Sequence, residues 1–259
     1  NSSAASDVYK RQVYSPLEAL RIAEEKPQCD VIFIGVGFET TAPAIAGTII
    51  EAYERHISNF SIFTSLKTIP IPLHIICDSP KIGVDGFILP GHVSAVIGSK
   101  PYRFIAEKFG KPGVITGFEP EDIIDALFRL SNMLIDNKPA IEISYSSIVR
   151  PDGNVAAKAL IEEVFESCDS DWRGIGTLPD SGLRIRDKYS QFDARQKYEI
   201  PDFSDVVDNP ACRCSDVILG LIRPTECPLF ENGCTPERPQ GPCMISSEGA
   251  CAAYYKYGE

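Results

Sequence analysis

The sequence predicts an α/β fold, with parallel-sheet, Rossmann-like layers carrying helices on both faces and a small, irregular, cysteine-rich domain at the C-terminus. Three observations predict it. Short apolar runs such as Val31-Ile32-Phe33-Ile34 alternate with segments whose apolar residues recur at helical spacing, the order that builds crossover units. Glycine-bearing turns follow several of those runs, and proline stands near the start of the helices after them. Six of the nine cysteines (Cys212, Cys214, Cys227, Cys234, Cys243 and Cys251) crowd among Pro210, Pro224, Pro228, Pro236, Pro239 and Pro242. So many missing backbone donors forbid long helices or central strands there, so something other than a hydrogen-bonded ladder must order that stretch.

Taken in order, Ser15-Pro16-Leu17-Glu18 is a capping box with proline at its first helical position, and Leu17, Leu20, Ile22 and Ala23 give a short helix to about Glu25 an apolar face. Asp30 opens the run 31–34, which reads as a strand buried on both faces, and Gly35-Val36-Gly37 ends it. Thr40 or Thr41 can cap the next helix, with Pro43 in its first turn and Ala46, Ile49, Ile50 and Tyr53 on its inner face. Residues 59–64 predict a second strand. The proline-broken segment 68–78 reads either as an extended loop or as a short helix begun at Pro72. Residues 84–89 predict a strand ended by Pro90-Gly91; Pro101 begins a helix through Phe109, and 113–116 is a fourth strand. Residues 121–136 carry Ile123, Ile124, Leu127, Leu130 and Leu134 on a helix with acidic residues in its first turn. A strand at 141–148, a turn at 151–154, a helix at 155–165 and a strand at 172–178 follow.

The layout predicted is therefore 1–12 as a foreign scar, 13–178 as the α/β part, 179–209 as a loose connector anchored by Leu183, Ile185, Phe192 and Tyr198, and 210–259 as the cysteine domain. A chain of 259 residues with 44% hydrophobic content can form one large or two modest cores. Its net charge of −11 repels a phosphate backbone, which argues against nucleic acid as a partner. Apolar runs fall well short of the ~20 residues that span a bilayer, so no membrane association is expected, and a cytoplasmic location is.

Three polar turns fall at predicted carboxyl ends of strands, where open α/β sheets bind ligands: Gly37-Phe38-Glu39-Thr40-Thr41, Pro90-Gly91-His92-Val93-Ser94 and Gly117-Phe118-Glu119. Taken singly, the threonines are caps, the glutamates favour helix N-termini and His92 is a turn residue. Gly35-x-Gly37 lacks the third glycine of a dinucleotide fingerprint, and no phosphate-loop lysine pattern occurs. The repeated Gly-Phe-Glu is a weak sign of duplicated strand-helix units. Cys29, Cys77 and Cys168 read as apolar fillers, and His56 and His74 lack companions at ligand spacing.

For the six C-terminal cysteines the residues alone leave three agents open: disulfides, zinc, or an iron–sulfur cluster held by four thiolates. Their intervals run C-x-C, then x12, x6, x8 and x7, without the paired C-x2-C knuckles common around zinc. A disulfide framework suits shorter secreted chains better than this one. A cluster plus one thiol pair would use all six.

The run Cys212-Arg213-Cys214-Ser215-Asp216-Val217-Ile218, with Cys227-Pro228-Leu229-Phe230, Cys234-Thr235-Pro236-Glu237 and the stretch from Gly241-Pro242-Cys243-Met244 to Cys251-Ala252-Ala253-Tyr254-Tyr255, resembles the C-terminal iron–sulfur domain of the HypD family. The strings 37–42 and 90–94, Ile115-Thr116-Gly117-Phe118-Glu119-Pro120, Trp172-Arg173-Gly174-Ile175-Gly176 and Pro179-Asp180-Ser181-Gly182-Leu183 extend the resemblance from Val13 to Tyr257. It implies a scaffold with a redox role, rather than a conventional turnover enzyme, in the maturation of nickel–iron hydrogenases. With HypC the family assembles a transient iron carrying cyanide and carbon monoxide; HypE donates the cyanide, and the hydrogenase large subunit is served indirectly. The resemblance assigns Cys212, Cys227, Cys234 and Cys251 to a [4Fe-4S] cluster and Cys214 with Cys243 to a redox-active pair, an arrangement similar to ferredoxin:thioredoxin reductase. Glu39 and His92 carry over as reactive site residues, with Thr40, Thr41, Gly91 and Ser94 lining the crevice for partner and iron. The family's N-terminal cysteine motif, its expected iron-loading site, has no counterpart, and a family N-terminal segment is expected to be missing. A cluster-dependent thiol–disulfide reductase and a zinc-stapled protein-binding module are the alternatives.

Overall fold

The computed structural model describes residues 10–172, 175–200 and 209–258, so residues 1–9 of the expected scar and 201–208 of the expected connector lie outside the described residues. Helix α1 (Pro16–Glu25) begins where local chemistry puts it, the Ser15 side chain accepting the Glu18 N–H at 3.2 Å. Strand β1 (Val31–Gly37) leads into α2 (Ala42–Glu54), and β2 (Phe60–Lys67) lies parallel to β1, pairing Val31 with Phe60 and Gly37 with Leu66. A second unit follows, made of α3 (Pro70–Asp78), β3 (Phe87–Pro90), α4 (Gly91–Ile97), α5 (Arg103–Glu107), β4 (Gly113–Thr116), α6 (Pro120–Ile135) and β5 (Ile141–Ile143). Its three strands form a parallel sheet in the order β3-β4-β5.

The chain then returns to the first sheet through α7 (Val155–Val164), capped by the Asn154 side chain, and the antiparallel pair β6 (Phe165–Trp172) and β7 (Gly176–Ile185). The first sheet is therefore mixed, in the order β1-β2-β7-β6, with β7 antiparallel to both neighbours. This replaces the single strand expected at 172–178 and the loose start of the connector. β6 was hidden because Glu166, Ser167, Asp169, Ser170 and Asp171 give it no apolar alternation; it is an edge strand ordered by backbone pairing. Pro179 is accommodated in β7 because the register jumps between Cys168 and Ser170, leaving 179–181 outside the regular ladder. A 3-10 turn (Asp187–Phe192) and α8 (Ala194–Lys197) follow; α9 (Cys214–Ile218), α10 (Pro242–Ile245) and α11 (Ala250–Tyr257) form the cysteine domain.

The larger core packs Leu20 of α1, Ile45 and Ile49 of α2, Phe60 and Ile62 of β2, Phe165 and Ile185, all buried. Each such side chain contributes roughly 1.5–3 kcal/mol of transfer free energy. A separate core under the second sheet contains Leu89, Tyr102, Ile105, Ile115 and Val149. One expectation fails in the first unit: β1 is not buried on both faces. Val31 and Phe33 pack on the core side, but Ile32, Ile34 and Val36 are 43%, 60% and 62% exposed, because among the described residues helices cover only one face of β1. Among the described residues no helix is long and apolar enough to cross a membrane.

Candidate functional site

The carboxyl end of β1 delivers Glu39 into the interior, not to the surface. It is 4% exposed; one carboxylate oxygen accepts the Ile69 N–H at 2.9 Å, at the start of α3, while the other is buried with no hydrogen-bond partner among the described residues. Burial raises its pKa above the usual carboxylate value, opposed by the Ile69 N–H. The charge of Glu39 is felt by Tyr102, a fully buried phenol of the second unit whose pKa burial pushes up to about 12. Tyr102 Oη lies 3.5 Å from Ser94 Oγ, and Ser94 in turn donates to the Pro90 carbonyl at 2.7 Å. Buried polar groups thus stand on both units, the Ser94–Tyr102 pair within the second and Glu39 of the first, bonded to the start of α3. Next to Glu39 in sequence, Phe38 packs on Trp172 at 6.2 Å, and the Lys67 amine sits 4.9 Å above the same indole.

The Pro90–Ser94 string is not a turn but the strand-to-helix junction of β3 and α4, with Pro90 extended at the cap position. Gly91 is there for space: a Cβ would fall 2.2 Å from the Thr116 carbonyl oxygen of β4. His92, the next residue, is exposed and stacks on Phe118 with ring centroids 4.8 Å apart. Phe118 itself is 65% exposed, so these two rings form the outward part of the site. Thr40 is exposed, and Thr41, at the start of α2, makes no side-chain cap bond.

All six C-terminal cysteines meet in one core. Cys214, Cys227, Cys234, Cys243 and Cys251 are buried with Val217, Phe230, Met244 and Ala252, and Cys212 is half-buried against them. Cys243 Sγ lies 3.0 Å from Cys251 Sγ. The Cys243 N–H donates to Cys214 Sγ and the Gln240 N–H to Cys234 Sγ, both at 3.3 Å. Burial pushes the thiols of Cys212 and Cys251 up in pKa, and the neighbouring Cys214, Cys227 and Cys234 push the same way.

Comparison with known proteins then decides the family: a family model for HypD, described as the hydrogenase formation hypA family, matches residues 2–258. The chain belongs to the HypD family. It is 43% identical over 255 residues to the hydrogenase maturation factor HypD2 of Bradyrhizobium diazoefficiens, covering 96% of this chain and 67% of that one. Identity is 44% over 255 residues with HypD of Cupriavidus necator, again 96% and 67%, and 42% over 248 residues with HypD of Escherichia coli, 95% and 66%. The chain thus spans about two thirds of the length of these relatives. The family match starts at residue 2, ahead of Val13, where the resemblance was expected to begin.

The cysteine core of this chain fits a group held by thiolates, since six sulfurs meet there and five of them are buried. A four-iron cluster takes one thiolate per iron, and the Gln240 and Cys243 N–H groups aimed at sulfur would stabilise thiolates there. Sequence reasoning missed Tyr102, Trp172 and Lys67, whose partners come from distant elements and leave no local spacing, and gave Phe118 no role of its own.

Because Glu39 has a raised folded-state pKa, its ionisation opposes folding. The contribution of its protonated form is complete below the unfolded carboxyl value and is lost as pH rises through the folded one. Glu39→Gln keeps the acceptor for the Ile69 N–H and removes the charge. It is expected to equal or exceed wild type in thermal stability at pH 8, by about 1 kcal/mol, with the advantage closing toward pH 4. Equal destabilisation across that range would show that both carboxylate oxygens are needed as they stand.

Proposed function

We propose that this chain is an assembly scaffold with a redox role in hydrogenase maturation, its C-terminal domain holding a [4Fe-4S] cluster beside an exchangeable thiol pair. The observation that carries the reading is the meeting of six cysteines in one small buried core of a HypD-family chain. Cys212, Cys227, Cys234 and Cys251 hold the cluster, and Cys214 with Cys243 forms the pair, the Cys243 N–H reaching the Cys214 sulfur. A cluster held there would provide one-electron transfer beside the Cys214–Cys243 pair, whose disulfide form takes two electrons and two protons to become two thiols. The protein's own part is to bury the sulfurs, aim N–H donors at them and keep water away.

The strand-end crevice is the partner site, and it receives HypC. Its exposed His92–Phe118 pair is the contact surface, since aromatic anchors carry much of the affinity of protein interfaces, while the buried Glu39, bonded to the Ile69 N–H, ties the two units together behind it. Glu39 acts from inside and does not touch the partner. The cargo is iron bearing cyanide and carbon monoxide, with HypE as cyanide donor and the hydrogenase large subunit as the eventual recipient. The cytoplasm, where thiols stay reduced, is the setting.

Titration calorimetry with purified HypC tests the crevice. His92→Ala is expected to weaken binding about tenfold, close to 1.4 kcal/mol, without shifting the unfolding temperature. Unchanged affinity in both His92→Ala and Phe118→Ala would remove this surface from the partner site.

A further inference from the structure

The segment 240–243 touches more of the sulfur core than its length suggests. The Gln240 N–H donates to Cys234 Sγ, the Cys243 N–H donates to Cys214 Sγ, and the Cys243 sulfur lies against that of Cys251. The Asn209 amide anchors the segment from outside by donating to the Gln240 side-chain oxygen at 3.2 Å. Between the two N–H donors stands Gly241. A Cβ on it would fall 2.7 Å from Cys212 Sγ, 2.9 Å from Cys214 Cβ and 3.3 Å from Cys214 Sγ. Its backbone does not call for glycine, since φ is −128° and ψ 159°, an extended conformation open to any residue. The space is taken up by the Cys212 and Cys214 side chains.

We propose that Gly241 is a positioning residue whose absent side chain is the room in which the Cys212 and Cys214 sulfurs sit side by side. It keeps a cluster ligand and an exchangeable thiol against one wall. The roles named for those two cysteines rest on the cluster reading above; their shared packing on Gly241 does not. A methyl group at 241 cannot be relieved by the backbone of Pro242, which is fixed in φ, so the Cys212 and Cys214 side chains must give way. Gly233 is the matched control in the same domain, because a Cβ there meets only Leu229 at 3.8 Å, an ordinary contact.

The test compares wild type, Gly241→Ala and Gly233→Ala as whole chains, kept anaerobic and metal-free, by iodoacetamide alkylation read cysteine by cysteine in a mass spectrometer. Gly241→Ala is expected to speed alkylation of Cys212 and Cys214 about tenfold while Cys227 keeps its wild-type rate, and Gly233→Ala to change none of them. A wild-type pattern in Gly241→Ala overturns the proposal, as does a uniform rise across all six cysteines with the fold intact. If Gly241→Ala fails to fold, the double variant Gly241→Ala/Cys212→Ala, which deletes the nearest atom that the methyl group meets and leaves the contact with Cys214, is expected to recover part of the unfolding temperature, and no recovery at all overturns the proposal. Reconstitution with iron and sulfide separates this from the cluster reading. A wild-type chain that takes up neither iron nor sulfide refutes that reading alone, whereas a wild-type chain that takes them up and a Gly241→Ala chain that takes up the same amounts with the same thiol reactivity refutes the role of Gly241 alone.

Discussion

Serine in place of Cys227 is expected to strip the anaerobically reconstituted protein of its visible absorption, and serine in place of Cys214 to leave it. The same division should hold for the others: loss at Cys212, Cys234 and Cys251, retention at Cys243 with one exchangeable thiol pair gone. The physical basis is that a cluster with a missing thiolate leaves one iron without its ligand, whereas the pair only borders it. Because five of the six sulfurs are buried, each serine also places a hydroxyl in an apolar core, at a cost of roughly 1–3 kcal/mol if it finds no partner. Unfolding curves on the metal-free variants therefore accompany the spectra, and a ligand assignment is read only from variants that remain folded. Absorption lost on changing Cys214 but kept on changing Cys212 would reverse the assignment.

Gly91→Ala is expected to be the most damaging single substitution at the strand-end site, costing about 3 kcal/mol or more in denaturant unfolding. The added methyl would stand 2.2 Å from the Thr116 carbonyl oxygen and 3.0 Å from the Tyr145 ring. Tyr145 could turn aside; the carbonyl cannot, since Pro90 and Thr116 are register partners across β3 and β4. Relief requires the two strands to part at their carboxyl ends. The adjacent His92→Ala, at an exposed ring, should stay within about 0.5 kcal/mol of wild type. Neighbouring residues of one motif are thus expected to fail for opposite reasons, Gly91 through the fold and His92 through the partner. A Gly91→Ala protein as stable as wild type would mean that β3 and β4 are not held as tightly as their pairing indicates.

Local chemistry was legible in the sequence, and long-range pairing was not. The Ser15 cap of α1, strand β4 and the start of α7 at Val155 depend on residues near one another in sequence, and each forms where it was read, although the Glu18 carboxylate accepts from the Tyr14 N–H and so leaves the capping box half made. Segment 68–78, ambiguous in sequence, is helix α3, begun two residues before Pro72. The division into two sheets depends on which strands meet, and β6 and β7 meet through polar residues that carry no periodic signal. The same limit governs the site. Glu39 and His92 occupy similar positions after a strand, yet one is buried and bonded to the Ile69 N–H and the other is open, a difference made by the start of α3 from elsewhere in the chain. Glu119, which echoes Glu39 in sequence, is exposed, so the repeated Gly-Phe-Glu string has no shared burial. Crowding of the six cysteines announced a common site; which sulfur lies against which was decided by α9, α10 and α11.

Iron and acid-labile sulfide, counted per chain after anaerobic reconstitution of the wild-type protein with both, test the central claim most directly. The account predicts about four of each, with zinc below stoichiometry. One zinc per chain without sulfide would contradict it.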